Sequence, residues 1–179
     1  MPELPEVEVT RRGVAPYLEG RVVTGVVVRR AGLRWPFPAD LPALLCGRAI
    51  GLTGRRGKYL LIGFAHGTLI IHLGMSGHLR ILPVGSAAQK HDHFDLQVGN
   101  QLLRLTDPRR FGAALWHPAE DGAVEQHLLL RGLGVEPFGV DFSGSLLYRQ
   151  TRARRAAIKQ VLLAGDIVVG VGNICASES

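Results

Sequence analysis

The chain has 179 residues, 46% of them hydrophobic, and carries a formal net charge of +6. This composition supports a folded core and excludes an extensively disordered chain, and the positive charge favours an anionic partner such as nucleic acid. Neither a secretory signal nor an apolar run of about 18 residues is present, so we expect a soluble cytoplasmic protein without a membrane segment. The two cysteines, Cys46 and Cys175, have no spacing typical of a zinc site or a disulfide framework.

Hydrophobic periodicity predicts one helix followed by a region rich in strands. Helical spacing covers residues 4–18 and ends at Gly20, and alternation predicts a strand over residues 21–30. Asp40 can cap a short helix that Gly47 ends. Further strands are predicted at residues 58–62, 68–72, 78–82, 93–98, 101–105 and 111–116. Many short strands between helices predict an α+β domain built on an antiparallel β-sandwich or barrel.

The composition changes after Pro118. Residues 124–131 and 146–165 are predicted to be helices, and the glycine-rich residues 132–144 between them are predicted to be a linker. The last residues, after Gly-Val-Gly-Asn, are predicted to begin another helix. Asn173 is a good N-cap residue there, and exposed N–H groups at a helix start suit a DNA phosphate, although a cap without a ligand is equally compatible with the pattern.

The N-terminal stretch Met-Pro-Glu-Leu-Pro-Glu carries the most distinctive chemistry. If Met1 is removed, Pro2 becomes a terminal secondary amine, and α-amino groups have pKa values near ~7.7–8.0, so a sizeable fraction is neutral at cellular pH. Such an amine can attack an electrophilic carbon and form a Schiff base. Glu3 and Glu6 could donate or accept protons beside it. Taken alone, the stretch is more typical of helix initiation, with prolines and acids in the first turn.

Three loop motifs carry further candidates. Lys58 precedes an apolar strand and could contact a phosphate, or simply be a solvated edge lysine. Met75 lies between two glycines after His72, and could enter a base stack or pack in the core. Arg109 and Phe111 share a turn, where arginine can bind base edges or phosphate and phenylalanine can intercalate.

Lys-His-Asp-His at residues 90–93 could suggest a metal site. His91 and His93 would share one face of a strand while Asp92 faced away, which leaves no third convergent ligand. Phosphate contact or a plain surface position is the better interpretation. We therefore predict no metal site here.

In their order along the chain, these motifs closely resemble the bacterial formamidopyrimidine-DNA glycosylase family. They are the N-terminal Met-Pro-Glu-Leu-Pro-Glu-Val-Glu, Gly-Lys-Tyr-Leu, His-Leu-Gly-Met-Ser-Gly, Lys-His-Asp-His, Asp-Pro-Arg-Arg-Phe-Gly, Leu-Gly-Val-Glu-Pro and Gly-Val-Gly-Asn-Ile. The resemblance implies a base-excision repair enzyme that removes 8-oxoguanine and formamidopyrimidines from damaged double-stranded DNA. It also implies strand cleavage at the abasic sugar by β- and δ-elimination.

The resemblance assigns roles to particular residues. Pro2 would be the nucleophile, Glu3 the general acid/base and Glu6 its support, and Lys58 would contact the phosphate beside the lesion. Met75, Arg109 and Phe111 would fill the gap left by the flipped base, with Arg109 facing the unpaired cytosine. Backbone phosphates would be held by His72, His91, Lys159 and Asn173.

The resemblance also implies a domain division. Residues 1–131 would form the catalytic β-sandwich domain with its N-terminal helix, 132–144 a linker, and 145–179 an incomplete helix–two-turn–helix domain. The family continues into a four-cysteine zinc finger whose cysteines are absent from this sequence, so we expect a C-terminally truncated member, monomeric and without a metal cofactor. Cys175 stands where the family usually has tyrosine. A non-catalytic DNA-binding remnant or an inactive fragment is the alternative.

Overall fold

A computed structural model describes all residues, 1–179. The helices are α1 (Leu4–Leu18), α2 (Leu41–Leu45), α3 (Gly144–Thr151), α4 (Ile158–Ala164) and α5 (Asn173–Glu178). The strands are β1 (Val23–Val28), β2 (Ile50–Arg56), β3 (Tyr59–Phe64), β4 (Gly67–His72), β5 (His78–Pro83), β6 (Asp92–Val98), β7 (Gln101–Thr106) and β8 (Ala113–Pro118). None of these helices has both the length and the apolar character needed to span a lipid bilayer.

The strands form two four-stranded antiparallel sheets, which confirms the predicted α+β fold with a β-sandwich. One sheet has the order β1-β6-β7-β5 and the other β2-β3-β4-β8. Their inner faces enclose one core of 20 buried residues, to which α1 contributes Val7, Val14 and Leu18. The apolar stripe of α1 is therefore buried in the sandwich core, and its first turn is fixed relative to the sheets.

The second sheet is apolar on both faces. Along β3, Leu60 and Ile62 point into the sandwich core, while Leu61 points outward, as the alternation of side chains along a strand requires. On the outer face, Leu61 and Ile70 pack against Leu130, which is 1% exposed. A segment after β8 therefore covers this face.

The prediction of a helix over residues 124–131 is wrong. Only Val124–Gln126 form a single 3-10 turn, and His127 already has an extended backbone. The His127 Nδ1 accepts a hydrogen bond from the N–H of Leu129, which stabilises the turn that follows. The apolar residues that suggest a helix are used instead to place Leu130 on the outer sheet face, so tertiary packing overrides the local pattern.

The predicted helix over residues 146–165 is interrupted. Residues 152–157 separate α3 from α4, and they are exposed, so no buried contact holds them in helical form. Arg154 instead pairs with Asp166 at 2.7 Å. The strand β2 was not predicted, because Gly51 and Gly54 break its apolar alternation.

A buried ion pair fixes the loop between β5 and β6. Arg104 is 1% exposed, and its Nε and Nη2 each donate to the carboxylate of Asp95 at 2.9 Å. The same guanidinium donates to the carbonyl oxygens of Ser86 and Ala87, both at 2.9 Å. Arg104 therefore joins two neighbouring strands to the loop that carries His91.

Arg104→Ala is expected to lower the free energy of unfolding by about 3 kcal/mol, because Asp95 then keeps its buried charge with only Arg29, at 2.6 Å, as a partner, and the carbonyls of Ser86 and Ala87 lose their donor. Urea denaturation measures the change. Arg80→Ala is the matched control: the Arg80 side chain is 41% exposed beside Asp92, and its loss is expected to cost at most about 1 kcal/mol. Equal losses for the two variants would contradict this account of the loop.

Candidate active site and nucleic-acid interface

Glu3 connects the first turn of the chain to its last helix. Its backbone N–H donates to Glu6 Oε2 at 2.9 Å, so Glu6 caps the start of α1. Its side chain accepts hydrogen bonds from the N–H groups of Ile174 at 2.8 Å and Cys175 at 3.1 Å. These N–H groups lie in the first turn of α5 and have no partner within that helix. The carboxylate of Glu3 therefore caps α5.

The environment of Glu3 keeps its carboxylate charged. Burial raises its pKa, but hydrogen bonds from the Cys175 side chain and from the N–H groups of Ile174 and Cys175 lower it, as does the positive charge of Lys58. The lowering effects outweigh burial and bring the pKa of Glu3 to about 2. At neutral pH this group can accept a proton or stabilise a nearby positive charge.

Two glycines allow Glu3 to approach α5. Gly170 has a φ of +87°, its carbonyl accepts the N–H of Leu4 at 3.3 Å, and a Cβ there would overlap the Leu4 side chain. A Cβ at Gly172 would overlap the carboxyl group of Glu3. The predicted N-cap at Asn173 is wrong: Gly172 is the N-cap and Asn173 is the first helical residue. The reason is that the side chain of Glu3 occupies the capping position.

Pro2 lies directly before Glu3 and is half-buried. Met1 precedes Pro2, so the Pro2 nitrogen is an amide in this chain. Met1 is 50% exposed. Removal of Met1 would convert it into a secondary amine next to the capped carboxylate.

Lys58 lies in the turn between β2 and β3, on the same side of the molecule as Glu3. Burial lowers the pKa of Lys58, whereas the negative charges of Glu3, Cys175 and Glu6, when ionised, raise it. The burial effect is the larger, so the pKa lies below the ordinary lysine value. A half-buried ammonium group near a carboxylate is suited to binding a phosphate.

His72, at the end of β4, is a neutral hydrogen-bond donor. Its Nδ1 accepts the N–H of Gly74 at 3.0 Å, so the proton of the neutral ring lies on Nε2. Burial and the charges of Lys58 and Arg34 lower the pKa of His72 to about 4, against a smaller opposite effect of Asp107. The Nε2–H can thus donate to a phosphate without a positive charge on the ring.

Two loops present apolar side chains to solvent beside His72. Met75 is 41% exposed and Phe111 is 45% exposed, and the guanidinium of Arg109 lies 4.9 Å from the centre of the Phe111 ring. The loops are joined by the Ser76 hydroxyl, which donates to Asp107 Oδ1 at 2.7 Å and accepts the N–H of Arg109 at 3.0 Å. Asp107, which is fully buried, therefore holds Met75, Arg109 and Phe111 in one group.

A cavity of about 450 Å³ separates the N-terminus from these loops. It is lined by Met1, Arg34, His72, Gly74, Met75 and Phe111. Three of the residues singled out in the sequence, His72, Met75 and Phe111, thus line one space that opens to solvent.

Arg34 is a cavity residue that the sequence did not single out. Its guanidinium lies 4.7 Å from the centre of the Trp35 ring, and it forms no ion pair with a carboxylate. Its backbone N–H donates to the carbonyl of Gly112 at 3.1 Å, which fixes it to the loop of Phe111. Nothing in the sequence distinguishes Arg34 from the other arginines, because its position depends on this contact between distant loops.

The remaining candidates lie around this group. His91 is half-buried, and its carbonyl accepts the N–H of Asp107 at 3.0 Å. Lys159 is exposed, and its Nζ donates to the Ser177 hydroxyl on α5 at 2.7 Å. His93 is fully buried, with Nε2 at 2.8 Å from the carbonyl of Asp107. Unlike His91, it is therefore not accessible to a ligand in solution. No group of three or more His, Cys, Asp or Glu side chains is placed to hold a metal ion.

The geometry is that of a DNA glycosylase fold. The structure of the Lactococcus lactis Fpg in complex with DNA containing an abasic site superposes with a TM-score of 0.90 at 30% identity, over 99% of this chain and 65% of that one. An L. lactis Fpg mutant in complex with DNA containing Fapy-dG gives the same TM-score at 31% identity.

Sequence comparison identifies the family. The family model described as the formamidopyrimidine-DNA glycosylase N-terminal domain matches residues 1–114. The formamidopyrimidine-DNA glycosylases of Herminiimonas arsenicoxydans and Bordetella avium are 78% and 58% identical to the chain, over 100% and 99% of its length. The chain belongs to the formamidopyrimidine-DNA glycosylase family. It spans 66% of the H. arsenicoxydans protein and 65% of the B. avium protein.

Gly172→Ala is expected to lower the free energy of unfolding by about 1–3 kcal/mol, because the added methyl group displaces the Glu3 carboxylate from α5. Thermal or urea unfolding measures the effect. Gly144→Ala is the matched control: Gly144 is the first residue of α3, and a Cβ there meets nothing within 4 Å. Unchanged stability of Gly172→Ala would show that the close approach of Glu3 is not required.

Proposed function

We propose that the chain acts on damaged double-stranded DNA as a glycosylase that removes oxidised purines, and as a lyase that cuts the strand at the resulting abasic site. The observation that carries the proposal is the placement of the ionised Glu3 carboxylate directly after Pro2 and near Lys58, with Met1 in the lining of the cavity that Met75 and Phe111 border. Family membership and the DNA in the similar L. lactis structures support this substrate class.

Pro2, once Met1 is removed, would be the nucleophile. Its nitrogen bonds to C1′ of the damaged nucleotide, the glycosidic bond breaks, and the departing base takes a proton. The C1′–O4′ bond then opens with its electron pair on O4′, which is protonated, and an iminium forms at C1′. The iminium withdraws electrons and acidifies the C2′ proton, whose removal expels the 3′ phosphate.

Glu3 would be the proton carrier of these steps. Because its pKa is about 2, it is ionised before the reaction and first accepts a proton, for instance from the ammonium form of Pro2. It can then return this proton to O4′ as the sugar ring opens. Glu6 supports the arrangement, since its carboxylate holds the backbone N–H of Glu3.

The cations and donors around the cavity would hold the damaged strand. Lys58 supplies an ammonium group, and His72 supplies a neutral Nε2–H donor. Arg34 adds a guanidinium with no protein carboxylate to neutralise it. His91, which is half-buried, and Lys159 and Asn173, which are exposed, would contact phosphates along the backbone. Such contacts supply much of the affinity of DNA-binding proteins.

The exposed apolar side chains would replace the flipped nucleotide. Extrusion of a base from the duplex costs a few kcal/mol, and side chains that enter the stack recover part of that cost. Met75 and Phe111 are exposed and held by the Asp107 contacts, so they are ordered before DNA arrives. Arg109, stacked on Phe111, would face the unpaired cytosine with its guanidinium.

Borohydride trapping tests the covalent step. The purified chain with Met1 removed, incubated with a duplex containing 8-oxoguanine or an abasic site, is expected to form an adduct that survives denaturing electrophoresis. Pro2→Gly is expected to reduce the adduct at least about tenfold, because a primary amine does not give the permanently charged iminium. Pro5→Ala, at the second residue of α1, is the matched control and should preserve trapping.

The absence of an adduct with either duplex would contradict the lyase proposal. Binding that weakens with salt but yields neither adduct nor cleavage would favour a non-catalytic DNA-binding protein. A broad, non-cooperative thermal transition of the purified chain would favour an inactive fragment.

Arg34→Gln tests the phosphate-binding surface separately from catalysis. Removal of one phosphate contact is expected to lower the slope of log affinity against log salt by about one. Arg21→Gln is the control, because Arg21 is exposed and follows the opposite end of α1 from Glu3, about 20 Å away along the helix. Equal slopes for the parent chain and Arg34→Gln would show that Arg34 does not contact a DNA phosphate.

A further inference from the structure

Glu136 binds the turn that carries Lys58, although it lies 79 residues further along the chain than Gly57. Its Oε1 accepts the N–H of Gly57 at 2.7 Å and a hydrogen bond from Arg56 Nη1 at 3.2 Å. Its Oε2 accepts a hydrogen bond from Arg55 Nη1 at 2.7 Å. A single carboxylate thus bonds to the three consecutive residues before Lys58. Glu136 belongs to the Leu-Gly-Val-Glu-Pro motif, which the proposed function leaves without a role.

Neighbouring contacts fix the same turn from the same side. Gly57 is buried with a φ of +55°, and Val169 fills the space where its Cβ would be. Arg56 Nη2 donates to the carbonyls of Leu133 at 2.9 Å and Gly134 at 2.6 Å. The turn is therefore docked on the segment that contains Glu136.

This segment is itself tied to the strand-like residues before α5. Val135 pairs with Val168 in a parallel bridge, and the N–H of Val169 donates to the carbonyl of Val135 at 2.9 Å. The segment around Glu136 thus contacts the turn of Lys58 on one side and the residues that precede Gly170 on the other. The carbonyl of Gly170 accepts the N–H of Leu4.

The charge of Glu136 is retained in this position. Burial raises its pKa, but the N–H of Gly57 and the guanidinium groups of Arg55 and Arg56 lower it, with a net lowering. Its side chain is 27% exposed and the Arg55 side chain is 15% exposed, so solvent weakens this pairing only in part. The carboxylate can therefore hold the turn in one conformation at neutral pH.

We propose that Glu136 is a positioning residue, which fixes the β2–β3 turn so that the Lys58 ammonium faces the Glu3 carboxylate and the DNA phosphate. The proposal rests on the DNA-binding role of Lys58 given above. Glu136 itself touches neither the cavity nor the reacting atoms. Without it, Gly57 loses a hydrogen bond and Arg55 and Arg56 lose their shared partner, so the turn can move away from Glu3.

The environment of Lys58 can be measured by NMR in the absence of DNA. The chain has three lysines, Lys58, Lys90 and Lys159, so reductive methylation with ¹³C-formaldehyde gives few NMR signals, and Lys58→Ala assigns the signal of interest. In Glu136→Ala, the pKa of Lys58 is expected to rise toward the ordinary lysine value, because the turn becomes more exposed. The signals of Lys90 and Lys159 should not change.

A double-mutant cycle connects this position to DNA binding. Lys58→Ala is expected to weaken binding to duplex containing a stable abasic-site analogue about tenfold, and Glu136→Ala about fivefold. If Glu136 acts through Lys58, adding Glu136→Ala to Lys58→Ala has no further effect. A merely structural role would give additive losses.

Glu8→Gln is the matched control, because Glu8 also pairs with Arg55, at 3.3 Å, but makes no contact with Gly57. It should leave the Lys58 titration unchanged. If Glu136→Ala fails to unfold cooperatively, Glu136→Gln replaces it, since the amide oxygen can still accept the Gly57 N–H while the ion pairs are lost.

An unchanged Lys58 titration in the folded Glu136 variant overturns the proposal, as does additivity in the cycle. If Lys58→Ala binds DNA as tightly as the parent chain, the proposed role of Lys58 fails instead. The NMR titration still decides in that case whether Glu136 positions Lys58.

Discussion

The structure depends on one buried carboxylate that caps a helix 171 residues away from it in sequence. Glu3 would be costly to bury as a lone charge, but two backbone N–H groups of α5, the positive end of that helix and Lys58 together stabilise its ionised form. The same contact requires glycine at position 172 and favours glycine at 170. The position of α5, the start of α1 and the protonation state of the candidate acid/base group thus follow from a single interaction.

Three titratable groups at the candidate site, Glu3, Lys58 and His72, differ in charge because they differ in surroundings. Glu3 is negative, since hydrogen bonds outweigh its burial, and His72 is neutral, since burial and neighbouring cations lower its pKa to about 4. The charge of Lys58 lowers the pKa of both groups, and burial lowers the pKa of Lys58 itself. This combination provides a proton acceptor, a neutral hydrogen-bond donor and a cation in a small region. Such separation of pKa values is typical of functional sites.

The sequence was sufficient for the fold class and for three residues of the cavity lining, His72, Met75 and Phe111, because alternation in strands and motif order are local signals. It failed where a local pattern competed with tertiary contacts. Residues 124–131 have apolar residues at helical spacing but cover the outer sheet face as an irregular segment around Leu130. Asn173 is a good N-cap by residue type, yet Glu3 takes that position. The cavity position of Arg34 arises from a contact with Gly112, which no local pattern could indicate.

The parallel bridge between Val135 and Val168, together with the bond from Leu4 to Gly170, has a consequence for how the protein is made. The sandwich strands end at Pro118, so that part of the chain can begin to fold while the ribosome is still synthesising the remainder. Glu3 emerges among the first residues, but the N–H groups of α5 that it accepts are translated 171 and 172 residues later. Glu3 therefore acquires its assembled surroundings only after residue 175 has left the ribosome.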